Sequence, residues 1–113
     1  MPLSPETRLQ AACVKLYYML WPQHAGRLFL NHNNPRGPRH GQLLKSMGLV
    51  AGVADMTLLG DNGAVFIEFK TTKGTQNQNQ KSWQKTCEAA GYRYCLVKSV
   101  SQFQEIVSQN LRA

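Results

Sequence analysis

The chain has 113 residues, enough for one domain, with 42% apolar residues to fill a single core. Thirteen Lys and Arg against six Asp and Glu give a formal charge of +7, an excess that favours a polyanionic partner, nucleic acid above all. No apolar run approaches the roughly 20 residues of a membrane helix, and the first residues lack the basic and apolar regions of a signal peptide. A cytoplasmic protein spanning 1–113 as one domain is therefore expected.

Ser4 followed by Pro5 reads as a helix N-cap and first helical position. Glu6, Leu9, Cys13, Leu16 and Leu20 then recur at helical spacing, and Pro22 ends the helix. Arg27 to His32 reads as a strand. Asn33 to Gly41, rich in Pro, Gly, Asn and Arg, is expected to be irregular, and Gln42 to Gly52 to hold at most a short helical turn and a loop. Asp55–Leu59 and Ala64–Lys70 are strand-like runs around Gly60-Asp61-Asn62-Gly63, a hairpin signal. Thr75 is a candidate cap for a helix to about Ala90 with Gln80, Trp83, Cys87 and Ala90 inward, stopped by Gly91. Tyr92–Val97 follows as a strand and Ser101–Leu111 as an amphipathic helix with Phe103, Ile106 and Val107 inward. The order helix, three strands, helix, strand, helix predicts an α/β fold, a mixed sheet flanked by helices.

The hairpin carries the chemistry. With Asp61-Asn62 as the turn, Asp55 lies opposite Glu68; with Asn62-Gly63, it lies opposite Lys70. Either register puts Asp55, Glu68 and Lys70 on one face. Two facing carboxylates repel unless a hard divalent cation joins them through oxygen. A lysine beside them can offset phosphate charge, so the set suits metal-assisted phosphodiester hydrolysis. An E-x-K tripeptide is usually just a solvated ion pair. Here Val65, Ile67 and Phe69 make the opposite face wholly apolar, which predicts a central strand, and a central strand seldom carries charge without function.

Glu6 and Gln80 each begin an otherwise apolar helical stripe. Taken singly, Glu6 reads as an acid at a helix N-terminus and Gln80 as an exposed stripe end; beside Asp55, Glu68 and Lys70, both could close the site. Cys13, Cys87 and Cys95 lack metal or disulfide spacing and read as buried thiols. His24, His32 and His40 fit no local zinc motif. Trp83 reads as core.

Gly52-Val53-Ala54-Asp55, Ile67-Glu68-Phe69-Lys70, Gln80-Lys81-Ser82-Trp83 and Gly91-Tyr92, in this order, resemble the VRR-NUC (virus-type replication-repair nuclease) branch of the PD-(D/E)xK superfamily. Ala54 stands where the superfamily's name has Pro. The resemblance covers Glu6 to the last strand and implies a restriction-endonuclease-like fold and a DNA nuclease using Mg²⁺ or Mn²⁺. By position it implies Asp55, Glu68 and the Phe69 carbonyl as metal ligands, Lys70 as catalytic lysine, Gln80 near the scissile phosphate and Glu6 as the first-helix acid, catalytic and metal-binding. Arg36, Arg39, Lys45, Lys73, Lys81 and Lys85 are the candidate DNA contacts. One small domain facing a large substrate suggests a homodimer, through the first or the closing helix, acting on branched DNA such as Holliday junctions, with a phage or prophage origin. The competing expectation is a basic module that grips branched DNA without cutting it.

Overall fold

The computed structural model describes residues 3–32 and 36–112. The first helix, α1, spans Pro5–Leu20, with Pro5 in its first turn and the Ser4 side chain accepting from the Thr7 N–H. Pro22 ends it, as expected, and starts a 3₁₀ turn at Pro22–His24. Its buried side is turned slightly from the expected stripe. Cys13, Tyr17 and Trp21, four residues apart, are buried, while Leu20 is exposed. The Tyr17 hydroxyl donates to the His24 carbonyl (2.7 Å), which lets a polar aromatic sit at 0% exposure.

Strand β1 is Leu28–Leu30, shorter than the expected strand. The next segment departs most from expectation. Asn33, Asn34 and Pro35 lie outside the described residues, and Pro38–Ser46 forms helix α2 where mostly irregular chain was expected. Pro38 occupies the first turn, where a missing N–H does no harm, and Gln42-Leu43-Leu44-Lys45 are good helix formers that outweigh Gly41.

Strands β2 (Met56–Gly60) and β3 (Gly63–Phe69) pair antiparallel, with Leu59 opposite Ala64 and Met56 opposite Ile67. This selects the Asp61-Asn62 turn of the two registers. Asp61 and Asn62 keep negative φ, and Gly63 takes φ +127°, which only glycine adopts without strain. The turn is tied down by Asp61, which accepts from the Arg27 guanidinium (2.9 Å) and the Arg112 N–H (2.8 Å). These contacts hold the Asp61 carboxyl below its ordinary value, the Arg27 hydrogen bond being the largest cause.

Helix α3 spans Gln78–Ala89 and returns the chain to strand β4 (Arg93–Val97), parallel to β3. Helix α4 (Val100–Asn110), capped by Ser99, closes the fold. The sheet order is β1-β2-β3-β4, with β1·β2 and β2·β3 antiparallel. The predicted mixed sheet is present, with α2 as an addition to the element order.

Alternation along β3 divides the molecule. Val65, Ile67 and Phe69 face a core built with Cys13, Tyr17, Leu28, Met56, Leu58, Val97, Phe103 and Val107, so α1 and α4 cover this face. Phe66 and Glu68 face the other way, under α3, where Phe66 meets Trp83 edge-on (centroids 5.1 Å apart). Trp83 also packs against Tyr94 in a second, aromatic cluster; expected in the core, it is half-buried on this face and outside the main core. Cys13, Cys87 and Cys95 are free thiols, their pKa values raised foremost by burial.

The two faces of α1 and α4 set a stability prediction. Phe103→Ala, at 0% exposure against Phe69, should lose about 3–5 kcal/mol in urea denaturation. Tyr18→Ala, on the exposed side of α1, should change stability by less than about 1 kcal/mol. Equal losses would place the core on the wrong side of α1.

Candidate active site

Asp55 is the residue before β2, and the register carries it opposite Glu68. Glu68 is 2% exposed, one of two buried polar residues in the described chain, the other being Thr57. The Asp55 Oδ2 accepts from the Phe69 N–H (2.8 Å), and the Asp55 main-chain oxygen accepts from the Asn31 N–H (2.9 Å). Asp55 is thus clamped between β3 and the end of β1. Glu68 Oε2 accepts from the Gln80 side-chain amide (3.0 Å), while Glu68 Oε1, buried, has no hydrogen-bond partner among the described residues.

Gln80 reaches Glu68 because the start of α3 holds it. The N-cap is Asn77 and not Thr75. Asn77 accepts from the Gln80 N–H (2.9 Å), and Gln80 Oε1 accepts from the Asn77 N–H (2.9 Å), a reciprocal capping box. With its oxygen so engaged, Gln80 can only present its NH₂ to the carboxylate. Gly52 seats this helix start. It has φ +87°, and a Cβ there would lie 2.2 Å from the Asn79 carbonyl oxygen and 2.7 Å from the Gln80 nitrogen. Both contacts are backbone, so no side chain fits at 52 without separating the Asp55 segment from α3. A polar pocket of about 300 Å³ between them is lined by Gly52, Asp55, Asn77 and Gln80 among others.

Lys70 follows β3 and donates its main-chain N–H to the Val97 carbonyl (3.0 Å). Its ammonium lowers the Glu68 pKa, but it forms no ion pair within 4.0 Å; among the described residues the only ion pairs join Arg27 and Arg112 to Asp61. Burial is the largest influence on Glu68 and Asp55 repulsion the next. Together they outweigh Lys70 and push the Glu68 carboxyl up from 4.5 to about 8. Two ionised carboxylates offer only acceptors to each other, so something positive belongs between them. In the protein alone, protonation of Glu68 relieves the repulsion.

This donor set fits a hard divalent cation. It offers two carboxylates, one with a buried oxygen lacking a donor. Mg²⁺ is commonly bound by one or two carboxylates and otherwise by water or substrate oxygen. Among the described residues no three His, Cys, Asp or Glu side chains cluster, so Glu6 does not join Asp55 and Glu68. Glu6 is half-buried on α1, the helix covering the opposite face of the sheet. Of the histidines, His32 and His40 meet edge-on (centroids 6.1 Å apart), whereas His24 bonds the Arg112 carbonyl.

Arg36, Arg39, Lys45, Lys73, Lys81 and Lys85 are all exposed, and none is in an ion pair among the described residues. Lys81 and Lys85 stand on α3 itself, and Lys73 lies in the loop joining Lys70 to α3.

Three site residues escaped the sequence analysis. Asn31 grips the Asp55 segment, while Gln76 donates to both Gln84 (2.9 Å) and the Tyr94 hydroxyl (3.0 Å). Tyr94 lies on the Glu68 face of β4, opposite Phe66, and its pKa is raised by burial first and by the Glu68 charge second. Alternation places Tyr94 beneath α3, but only the parallel β3·β4 register, invisible in a linear chain, places it near Glu68.

Searches against known proteins find the same fold. The chain is similar to a solved "VRR_NUC domain protein" at TM-score 0.75 and 17% identity, covering 97% of this chain and 90% of that one. It is also similar to a solved "VRR_NUC domain" at TM-score 0.61 and 15% identity, covering 93% and 96% respectively. No family model and no curated protein matches the chain. At these identities the likeness is one of fold: an α/β domain of the restriction-endonuclease-like kind, as the sequence resemblance implied.

The Glu68 environment gives a signed pH dependence. The folded protein holds the Glu68 proton up to about pH 8, whereas the unfolded chain releases it near 4.5. Stability of the metal-free protein should therefore fall as pH rises through that window and level off above it. Between pH 6 and 9, thermal melts of wild type should shift downward relative to Glu68→Gln, which cannot ionise, and Glu68→Gln should be the more stable protein at pH 9. Parallel melting curves across that range would show that Glu68 is an ordinary carboxylate.

Proposed function

We propose that the protein is a divalent-cation-dependent DNA nuclease of the VRR-NUC kind, with Asp55, Glu68 and Lys70 at its centre. The observation that carries this reading is the buried, unpartnered Glu68 oxygen beside Asp55, with Lys70 and Gln80 on the same face.

Asp55 and Glu68, with the Phe69 carbonyl, would hold Mg²⁺ or Mn²⁺, which when bound polarises a phosphoryl oxygen and acidifies water. The protein's own groups supply the rest. Lys70 brings an unpaired positive charge to the place where the scissile phosphate would gain negative charge. Gln80, its oxygen held by the capping box, offers its remaining N–H to a phosphate or a water beside Glu68. Glu6 bonds none of these groups, so its substitution is expected to matter least. Lys73, Lys81 and Lys85 extend positive charge outward from the site, and Arg36, Arg39 and Lys45 add to it from the α2 region.

The finer reading is a homodimer acting on branched DNA. Tyr18, Phe29 and Leu30 are exposed around the α1–β1 groove, whereas α4 has its large apolar side chains Phe103 and Val107 buried. Of the two helices considered for the dimer, α1 is therefore the better contact surface, and a two-fold pair would present two centres to a junction of matching symmetry. Light scattering that reports a monomer both free and on DNA would remove the dimer and leave the nuclease.

Asp55→Asn, Glu68→Gln and Lys70→Ala should each lower Mg²⁺-dependent cleavage of plasmid and junction DNA by more than about 10²-fold. Gel-shift affinity should stay within a few-fold, because phosphate contacts elsewhere supply it. Affinity should fall steeply with salt, with a log–log slope of about −0.9 per phosphate neutralised. Cleavage at the wild-type rate by any of the three variants would contradict the assignment. DNA binding without cleavage by the wild type would leave a binding module.

A further inference from the structure

Asn31 is not part of any motif in the sequence. It follows the short edge strand β1, one step beyond the Leu30·Met56 pair, and its main-chain N–H donates to the Asp55 carbonyl (2.9 Å). The side chain then makes two more bonds to the same stretch of chain. Its Nδ2 donates to the Ala54 carbonyl (3.0 Å), and its Oδ1 accepts from the Thr57 hydroxyl (3.0 Å). Thr57 is 6% exposed, and its hydroxyl finds its partner in Asn31. One amide therefore holds residues on both sides of Asp55, while the backbone holds Asp55 itself.

This grip is needed because Asp55 has left the regular sheet. β2 begins at Met56, and Ala54-Asp55 runs outside the β2·β3 ladder. Without the Asn31 side chain, the bonds on Asp55 itself are the main-chain bond from residue 31 and the Phe69 N–H, among the described residues. The Ala54 carbonyl fixes the orientation of the amide: flipping Asn31 would set its Oδ1 against that carbonyl, acceptor against acceptor, whereas the Thr57 hydroxyl can donate or accept.

We infer that Asn31 is the positioning residue for Asp55, setting its carboxylate against Glu68 through the Ala54 carbonyl and the Thr57 hydroxyl. The inference deepens the nuclease reading and rests on it for its consequence, cation affinity; the positioning itself is measurable without any metal.

The Phe69 amide is the reporter, because it donates to Asp55 Oδ2, while the neighbouring Lys70 amide donates to Val97 across the other side of β3. In metal-free protein, NMR hydrogen exchange should show Asn31→Ala losing at least about tenfold of Phe69 protection relative to Lys70. Thr57→Val should move Phe69 in the same direction by less, and Thr57→Ser, which keeps the hydroxyl, should restore it. Calorimetric titration with Mn²⁺ should show affinity about tenfold or more weaker in Asn31→Ala, the scale of a lost partner behind a ligand. Unchanged Phe69 exchange in both Asn31→Ala and Thr57→Val would overturn the inference. So would equal acceleration at Phe69 and Lys70, which would make Asn31 a general prop of the sheet. A wild-type protein that takes up no Mn²⁺ would overturn the nuclease reading instead, and the exchange arm would still decide the role of Asn31.

Discussion

Two carboxyl groups, Asp55 and Glu68, are pressed together at the end of a hairpin, and one of them is shut away from water with an oxygen that has no hydrogen-bond partner among the described residues. An unpaired buried charge of this kind is among the more expensive features a small domain can carry. Proteins keep such features at functional sites, where the missing partner is supplied from outside. Protonation of Glu68 relieves the conflict in the isolated protein. On the proposed reading a hard divalent cation would take the place of that proton, beside a lysine and exposed cations that form no ion pair among the described residues.

Much of the remaining architecture reads as support for this arrangement. The β2·β3 register sets which residues face each other. Glycine at 52 lets the strand-leading segment touch the start of α3 with no side chain between them. The Asn77–Gln80 capping box caps the helix through the Gln80 oxygen, and so aims the nitrogen of the same side-chain amide at Glu68. The apolar face of β3 presses on α1 and α4, so the strand bearing Glu68 is fixed from behind by the main core. The unsatisfied carboxylate on one face is thus held by conventional packing on the other.

The hairpin and the E-x-K strand were legible in the sequence because alternation and turn chemistry are local signals. Val65, Ile67 and Phe69 announce a central strand, and the count from Leu59 to Ala64 brings Asp55 opposite Glu68 in one of only two registers. The α3 cap was misplaced by two residues because Thr75 and Asn77 are both competent caps, and only the reciprocal partner Gln80 decides between them. Helix α2 was hidden by Pro38 and Gly41, residues that punctuate loops but also sit at helix starts. The inward turn of α1 toward Tyr17 depended on a hydroxyl finding the His24 carbonyl, a contact made only after folding. Asn31, Gln76 and Tyr94 could not be assigned in advance, since their roles come from tertiary hydrogen bonds across 8 to 26 residues of sequence.

The central claim of the proposed reading is that a cation bound by Asp55 and Glu68 displaces the Glu68 proton. Its most direct test is Mn²⁺ titration calorimetry in buffers of differing ionisation enthalpy. With the Glu68 carboxyl raised to about 8, binding at pH 7 should release about one proton per cation, and at pH 9 much less, since the site is then already ionised. Cation binding with no proton release at pH 7, or no binding at all, would contradict the account.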